Sequence, residues 1–134
     1  MKRTVFDPVR RQRVAETPEE GVRQQLIRML SEKHHYPLHL MSCEYAVPLN
    51  GINYRGDVVV FDREARPLMI AECKAPGVKI TTETFEQILR YNIVLKARYL
   101  LVTNGTDTFL AKTEPGLSTY EFLTTIPCYN ELSQ

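Results

Sequence analysis

Residues 54–76 read YRGDVVVFDREARPLMIAECKAP, and this stretch decides the fold of the chain. Its two apolar runs are joined by a connection whose length suits a β-hairpin. Runs this apolar are typical of buried strands. Yet one run begins with Asp57 and the other ends with Glu72 and Lys74, and burial penalises charged groups. The stretch therefore predicts two buried strands that bring charged side chains together at one end.

The pairing of the two strands gives these charged residues a common position. With a turn centred at residues 64–65, the numbers of paired residues sum to 129, so Asp57 lies opposite Glu72. Directly opposed residues project from the same face, with Cβ atoms about 5 Å apart. Lys74 shares this face because it is two residues from Glu72, whereas Cys73 points the other way. The register therefore predicts two carboxylates and one ammonium group at a single place.

Such a group suits a divalent cation. Two close carboxylates repel each other, and the pKa of one rises unless a cation lies between them. Mg²⁺ prefers oxygen ligands and is usually held by one or two carboxylates together with phosphate oxygens of the substrate; Mn²⁺ accepts the same ligands and is a substitute. Lys74 is then placed to orient or deprotonate a water molecule or to stabilise the phosphate. The alternative is a structural ion pair between Lys74 and a carboxylate.

Helical and strand patterns surround this hairpin. In TPEEGVRQQLIRMLSEK, Thr17 is the expected N-cap, Glu20 completes a capping box, and the helix ends near Lys33. The remaining predicted elements are strands over 37–47, 57–62, 67–74 and 97–104, a helix over 82–97, a strand in TDTFLAK and a short helix in STYEFL. The order α-β-β-β-α-β-β predicts an α/β fold in which a central mixed β-sheet is flanked by α-helices.

The bulk composition is that of a single globular domain. The chain has 134 residues, of which 43% are hydrophobic and 25% charged, and its net charge of +1 selects neither nucleic acid nor membrane. Residues 1–16 are predicted to form a basic N-terminal arm, which either contacts phosphates or is a solvated segment, and residues 17–134 a single domain. The sequence shows no signal peptide, no membrane-spanning run and no CxxC pair, so we expect a cytoplasmic protein without a membrane partner.

These motifs resemble a known group of nucleases. Asp57, followed after a hairpin by Glu72-Cys73-Lys74, resembles the PD-(D/E)xK nuclease signature, although the residue before Asp57 is not proline. More specifically, the chain is similar to the N-terminal nuclease domain of the restriction subunit of type I restriction enzymes. The matching segments are FDPVRRQRV, TPEEGVRQQLI, YRGDVVVFD, PLMIAECKAP and LLVTNG. The resemblance implies a restriction-endonuclease-like fold that cleaves DNA with Mg²⁺.

The resemblance also implies roles for the residues of the hairpin. Asp57 and Glu72 match the metal-binding carboxylates of the family, and Lys74 matches its catalytic lysine. The backbone carbonyl of Cys73 is a candidate for a further metal ligand, because its side chain points away. Metal and lysine together would activate a water molecule and stabilise the charge that develops on the phosphate.

Two helices are expected to add residues to this site. Gln87 and Tyr91 match the QxxxY motif of this branch, and positions i and i+4 share one helix face, so both can reach the site or the DNA backbone. The first helix contributes an acid in this family. Glu19 fits that role because it stands four residues before Arg23, and Glu20 is the alternative.

Two charged residues of the neighbouring strands complete the candidates. Arg55 lies two residues before Asp57 and is a candidate for holding a phosphate. Glu44 is either an additional acid of the site or an exposed strand residue.

The leading hypothesis is therefore a metal-dependent DNA endonuclease domain that hydrolyses phosphodiester bonds. Type I restriction subunits continue into a helicase-like motor, but this chain has no G-x-x-x-x-G-K-[ST] motif. The expected partners are DNA, a separate motor or specificity protein, and a second copy in a homodimer. The alternative hypothesis is a catalytically silent DNA-binding or partner-binding module that retains the nuclease fold.

Overall fold

The computed structural model describes residues 2–114 and 119–132. The β-strands are β1 Thr4–Asp7, β2 Gln12–Ala15, β3 Met41–Leu49, β4 Ile52–Phe61, β5 Pro67–Cys73, β6 Tyr99–Thr103, β7 Thr108–Thr113 and β8 Tyr120–Leu123. The α-helices are α1 Pro18–Lys33, α2 Thr82–Leu95 and α3 Tyr129–Leu132, and a short 3-10 helix covers Leu38–Leu40. The predicted order α-β-β-β-α-β-β is confirmed from α1 to β7.

Strands β3 to β8 form one mixed six-stranded sheet in the order β3-β4-β5-β6-β7-β8. All neighbours in it are antiparallel except β5 and β6, which run parallel because α2 connects them and returns the chain to the same end. The predicted mixed sheet is therefore confirmed. Strands β1 and β2 pair with each other in a separate two-stranded sheet.

Each face of the six-stranded sheet is covered by one long helix. On one face, α1 packs its apolar residues against alternate residues of the central strands; this core includes Val22, Leu26, Leu30, Val58, Val60, Ala71 and Cys73. On the other face, α2 does the same; this second core includes Phe85, Ile88, Tyr91, Val59, Ile70, Leu100 and Val102. The central strands are thus buried on both faces, which explains their nearly continuous apolar runs.

Three features differ from the sequence prediction. The basic N-terminal segment folds as the β1–β2 hairpin, which the sequence did not predict. The short helix predicted in STYEFL is wrong, because Tyr120–Leu123 is a strand paired with β7; Ser118 lies outside the described residues. The strand predicted over 37–47 has different bounds, because Leu38–Leu40 form the 3-10 helix and β3 runs through Pro48 to Leu49 before a tight turn to β4. In that turn Asn50 and Gly51 have φ values of 51° and 77°.

In the described parts of the chain, no helix is long and apolar enough to cross a membrane.

Candidate functional site

The predicted register of the β4–β5 hairpin is confirmed in its regular part. Val58 pairs with Ala71, and the paired residue numbers sum to 129 as expected, although the register shifts close to the turn. The regular pairs end at Val58 and Ala71. Asp57 and Glu72 are the next residue on each strand, so the hairpin brings them to the same end.

Asp57 lies where β4 departs from regular alternation. Tyr54 and Val59 are five residues apart, yet both pack in the core on the α2 face, so strict alternation does not hold between them. At this irregular point, the Asp57 side chain turns to the main chain of β5, and its Oδ2 accepts a hydrogen bond from the Cys73 N–H at 2.7 Å. The predicted pairing of Asp57 with Glu72 is therefore not among the regular pairs of β4 and β5, but the Asp57 carboxylate is held beside the end of β5.

Glu72 and Lys74 share a face, as predicted. The distance from Lys74 Nζ to Glu72 Oε1 is 3.5 Å. The Cys73 side chain between them is buried in the core on the opposite, α1, face. The Lys74 N–H donates to the Thr103 carbonyl oxygen at 2.8 Å, which ties this residue to β6. The ammonium group is therefore positioned by its main chain as well as by its ion pair.

The carboxylates of Asp57 and Glu72 have too little positive charge around them to balance both of their negative charges. The pKa of Glu72 is raised to about 7, mainly by burial and also by the negative charge of Asp57, while Lys74 acts in the opposite direction. Burial also raises the pKa of Asp57, despite the hydrogen bond from the Cys73 N–H, which lowers it. The mutual repulsion expected from the sequence is therefore present, and a cation at this place would relieve it.

Glu20 is fully engaged in contacts of its own. Its N–H donates to Thr17 Oγ1 at 3.0 Å, the half of the predicted capping box that the structure contains. Its carboxylate does not turn back to the cap. It accepts hydrogen bonds from Arg10 at 2.7 Å, from Arg23 at 3.1 Å through two nitrogens, and from Gln24 at 3.0 Å. These contacts bury Glu20 and leave it unsuited to the free acid that the sequence offered as an alternative.

Glu19 is the acid of α1 whose charge acts on the site. It is exposed, and its negative charge contributes to the raised pKa of both Asp57 and Glu72. Arg23, four residues further along the helix, bonds to Glu20 rather than to Glu19. The geometry therefore favours Glu19, and its role stays a prediction.

Glu44 and Arg55 lie on the other side of Asp57. Glu44 has a φ of 54°, an uncommon value for a residue other than glycine. Its carboxylate lies 3.4 Å from Arg23 Nη2 and 3.9 Å from Arg55 Nη1. The Arg55 side chain is 69% exposed, so it is available to a ligand from solvent. The structure therefore brings Arg23 and Arg55 together at Glu44, and the roles of Glu44 and Arg55 in the site stay predictions.

Helix α2 places an aromatic pair over the same end of the sheet. Tyr91 is buried, and its ring centre is 4.3 Å from that of Tyr54 on β4. Burial raises the pKa of Tyr91, as does the negative charge of Glu72, while hydrogen bonding with Gln87 acts in the opposite direction. Gln87 and Tyr91 therefore lie together near Glu72, and their roles stay predictions.

The sequence interpretation missed three residues that shape this site. Tyr54 begins the stretch that decided the fold, but nothing in the pattern shows that it packs on Tyr91. Arg23 donates to the Asp57 main-chain carbonyl at 3.2 Å, a contact that spans 34 residues. Arg10 reaches Glu20 from the N-terminal hairpin, which was not expected to fold.

The donor atoms at the site fit a hard divalent cation. In residues 2–114 and 119–132, no group of three or more His, Cys, Asp or Glu side chains is arranged to hold a metal ion. Asp57 and Glu72 supply two carboxylates, and the Cys73 main-chain carbonyl is the further oxygen the sequence suggested. Mg²⁺ often takes only one or two carboxylates and completes its shell with water and phosphate oxygens. The residues present therefore fit Mg²⁺, and its binding stays a prediction.

The model of one protein family, the type I restriction enzyme R protein N terminus (HSDR_N), matches residues 18–127 of this chain. The chain belongs to this family. The resemblance seen in the sequence motifs is thereby confirmed.

This R protein N-terminal domain also has a structural relative. A fragment described as part of an HsdR subunit of a type I restriction enzyme from Vibrio vulnificus YJ016 matches 88% of this chain, with a TM-score of 0.63 and 15% identity. At this identity, the likeness concerns the fold alone. The chain spans 25% of the length of that protein chain. Among curated proteins, none matches this chain.

Proposed function

We propose that this R protein N-terminal domain is a metal-dependent endonuclease that hydrolyses phosphodiester bonds in DNA. The observation that carries the proposal is a pair of half-buried carboxylates, Asp57 and Glu72, at the end of one hairpin, with an ammonium group 3.5 Å from Glu72. Burial of such a group is unfavourable unless a ligand or a counter-charge compensates it. Membership of the restriction-subunit family supports a role on DNA.

The fold supports the same proposal. Its mixed sheet, covered by one long helix on each face, carries the charged residues at the end of a hairpin next to a parallel strand pair. We assign it to the restriction-endonuclease-like fold of the PD-(D/E)xK nucleases, on the likeness to the HsdR fragment and on the Asp57, Glu72 and Lys74 motif.

Asp57 and Glu72 would hold the divalent cation, with the Cys73 main-chain carbonyl as a further oxygen. When bound, Mg²⁺ or Mn²⁺ supplies positive charge for the phosphate oxygens and lowers the pKa of a bound water molecule. The hydrogen bond from the Cys73 N–H fixes one oxygen of Asp57 and leaves the other available.

Lys74 and the residues around it would act on the substrate. The Lys74 ammonium group donates hydrogen bonds, which suits it to orient the attacking water or to stabilise the charged phosphate. Gln87 places its side-chain amide beside Tyr91, near Glu72. The Tyr91 ring packs on Tyr54. Glu19 adds a negative charge near Asp57 and Glu72. The exposed guanidinium group of Arg55 is suited to bind a DNA phosphate.

The partners of this domain follow from the family. The related HsdR chain is about three and a half times as long, since 88% of this chain covers 25% of it. We propose that a motor or specificity protein, attached or separate, brings DNA to this domain. A homodimer that cuts both strands is a further proposal.

Cleavage of supercoiled plasmid with Mg²⁺ or Mn²⁺ tests the proposed function. We expect the wild-type domain to relax and linearise the plasmid. Asp57→Asn keeps an acceptor for the Cys73 N–H but loses the charge that holds the metal, and Lys74→Met removes the ammonium group. Each should lower the cleavage rate by about 10²- to 10⁴-fold, the usual effect of removing a group that acts on the reacting atoms.

Lys79→Met is the matched control, because Lys79 is an exposed lysine in the loop that follows the site. This variant should cleave as the wild type does. Absence of metal-dependent cleavage by the wild type in the presence of its partner proteins, or equal activity of Asp57→Asn and wild type, would exclude the proposed reaction.

A silent DNA-binding or partner-binding module is the second candidate function. The observation that favours it is the Lys74–Glu72 contact, because this ion pair already provides Glu72 with a positive partner. A thermal-shift titration with Mg²⁺ separates the two functions. Binding to the native state raises the melting temperature by mass action, and Asp57→Asn should abolish that rise if the carboxylates hold the metal. A melting temperature that does not respond to Mg²⁺ favours the silent module.

A further inference from the structure

In the part of the chain that the structure describes, three charged side chains are buried although the proposed reaction gives them no role. Asp7 is 0% exposed, Glu20 5% and Arg23 7%. Buried ion pairs lose hydration, and apolar residues of similar size often stabilise a protein as well or better. Stability alone is therefore a weak reason for these charges, and their contacts show what else they do.

The contacts form a continuous chain from the N-terminal hairpin to α1. Asp7 holds Arg10 through an ion pair and also accepts a hydrogen bond from the Val9 N–H at 2.7 Å. Arg10 Nη2 then donates to Glu20 Oε1 at 2.7 Å. The Glu20 carboxylate accepts both Nε and Nη2 of Arg23 at 3.1 Å, which is the paired geometry that best fixes a guanidinium group.

The last contact of this chain reaches the candidate site. Arg23 Nη1 donates to the Asp57 main-chain carbonyl at 3.2 Å. This carbonyl lies where the regular pairing of β4 with β5 ends and side-chain alternation is lost, so strand pairing fixes it less firmly than its neighbours. Arg23 also contacts Glu44 on β3, the strand on the other side of Asp57. Arg23 is therefore fixed on one side by Glu20 and holds the irregular part of β4 on the other.

We propose that the half-buried Arg10 and the buried Glu20 and Arg23 form a relay through which the N-terminal hairpin positions Asp57 for the reaction. The proposal rests on the proposed nuclease function of Asp57. The three relay residues are positioning residues, since none of them contacts the place where substrate would bind. The relay gives Glu20 a role other than that of an acid of the site, and it gives the N-terminal hairpin a role other than binding phosphates.

Arg10 gives the sharpest test because it acts on Asp57 only through other residues. Arg10→Met keeps most of the side-chain length and removes the charge. We expect kcat for plasmid cleavage to fall about tenfold to a hundredfold, the effect of a misplaced reacting group. The KM for DNA should stay unchanged, because Arg10 contributes no substrate contact. Arg10→Lys restores a positive charge beside Glu20 and should recover part of the lost kcat.

Arg13→Met is the matched control. Arg13 belongs to the same hairpin, but it is exposed, and its side chain donates to Thr4, to the hydroxyl at 2.8 Å and to the carbonyl at 2.9 Å. This variant should keep the kcat of the wild type. Equal losses in Arg13→Met and Arg10→Met would overturn the relay, because the hairpin would then act through its overall charge or stability.

A second measurement tests whether the relay positions Asp57, and it does not require DNA cleavage. The Cys73 N–H donates to Asp57 Oδ2, so its resonance in a ¹H–¹⁵N spectrum reports the position of that carboxylate. In EDTA, we expect this resonance to shift in Arg10→Met, to return towards its wild-type position in Arg10→Lys, and to stay in place in Arg13→Met. Should Arg10→Met fail to fold, Glu20→Gln replaces it, since it keeps the shape of the relay and removes the same charge pairs.

The two measurements distinguish a failure of the relay proposal from a failure of the nuclease proposal. If the wild type cuts DNA and folded Arg10→Met cuts equally well, the relay is wrong and the nuclease remains. If the wild type does not cut DNA, the nuclease is wrong, and the Cys73 resonance still decides whether the relay positions Asp57. An unshifted Cys73 resonance in Arg10→Met overturns the relay in either case.

Discussion

Replacing Glu72 by glutamine should stabilise the metal-free protein above neutral pH. The pKa of Glu72 rises from its ordinary value of 4.5 to about 7 in the folded protein, mainly because its side chain is only 18% exposed. An acid whose pKa is raised by folding keeps its proton in the native state while the unfolded chain loses it. The free energy of unfolding therefore falls as the pH rises from about 4.5 to 7 and stays lower above that range.

The size of the effect follows from the shift. One pKa unit corresponds to 1.36 kcal/mol, so a shift from 4.5 to about 7 costs the wild type about 3 kcal/mol at pH 8. Glu72→Gln keeps the shape of the side chain and cannot ionise, so it avoids this cost. Its advantage over the wild type should be about 3 kcal/mol larger at pH 8 than at pH 4. For a domain of this size, that is roughly 10 °C in melting temperature.

Urea unfolding in EDTA, followed by circular dichroism at pH 4 and pH 8, measures this difference. Glu86→Gln is the matched control, because Glu86 is an exposed residue of α2 and its replacement should change the free energy of unfolding little at either pH. The reasoning is refuted if Glu72→Gln differs from the wild type by the same amount at both pH values, or if it is the less stable protein at pH 8.

Two further predictions concern the frame that carries the site. Gly56→Ala should destabilise the domain by about 1–3 kcal/mol, since the added Cβ would lie 2.9 Å from Val59 Cγ2. Gly21→Ala, in α1, should stabilise the domain by about 0.5–1 kcal/mol, because its added Cβ would meet no neighbouring group within 4 Å. If the two alanine variants changed the free energy of unfolding in urea equally, the predicted clash at Gly56 would be wrong. Asn92→Ala should cost roughly 2–4 kcal/mol, because both atoms of its amide bond to Ala97 at 2.7 Å and their partners would be left buried and unpaired. Calorimetric melting checks that loss, and a change below 1 kcal/mol would show that water replaces the amide.

The sequence predicted the elements whose signals are local. The capping residue Thr17 and the apolar spacing of TPEEGVRQQLIRMLSEK placed α1 correctly up to Lys33. The hairpin register followed from the position of the turn between the two apolar runs. Strand β8 was missed because its local signal is weak. Tyr120 and Phe122 are two residues apart and both pack on Phe85 of α2, a contact that shows only once the helix and the strand lie side by side.

The spacing of residues along the chain is enough to bring Asp57, Glu72 and Lys74 to the end of one hairpin, because strand pairing is set residue by residue from the turn and a buried strand pair tolerates one register. The environment of these three residues depends on how the helices and strands pack. The raised pKa of Glu72 depends on how deeply α2 and the sheet bury it. The contact of Arg23 with the Asp57 carbonyl depends on α1 packing across β4. Burial and long-range contact depend on the distances between elements that are remote in sequence, and spacing along the chain does not contain those distances.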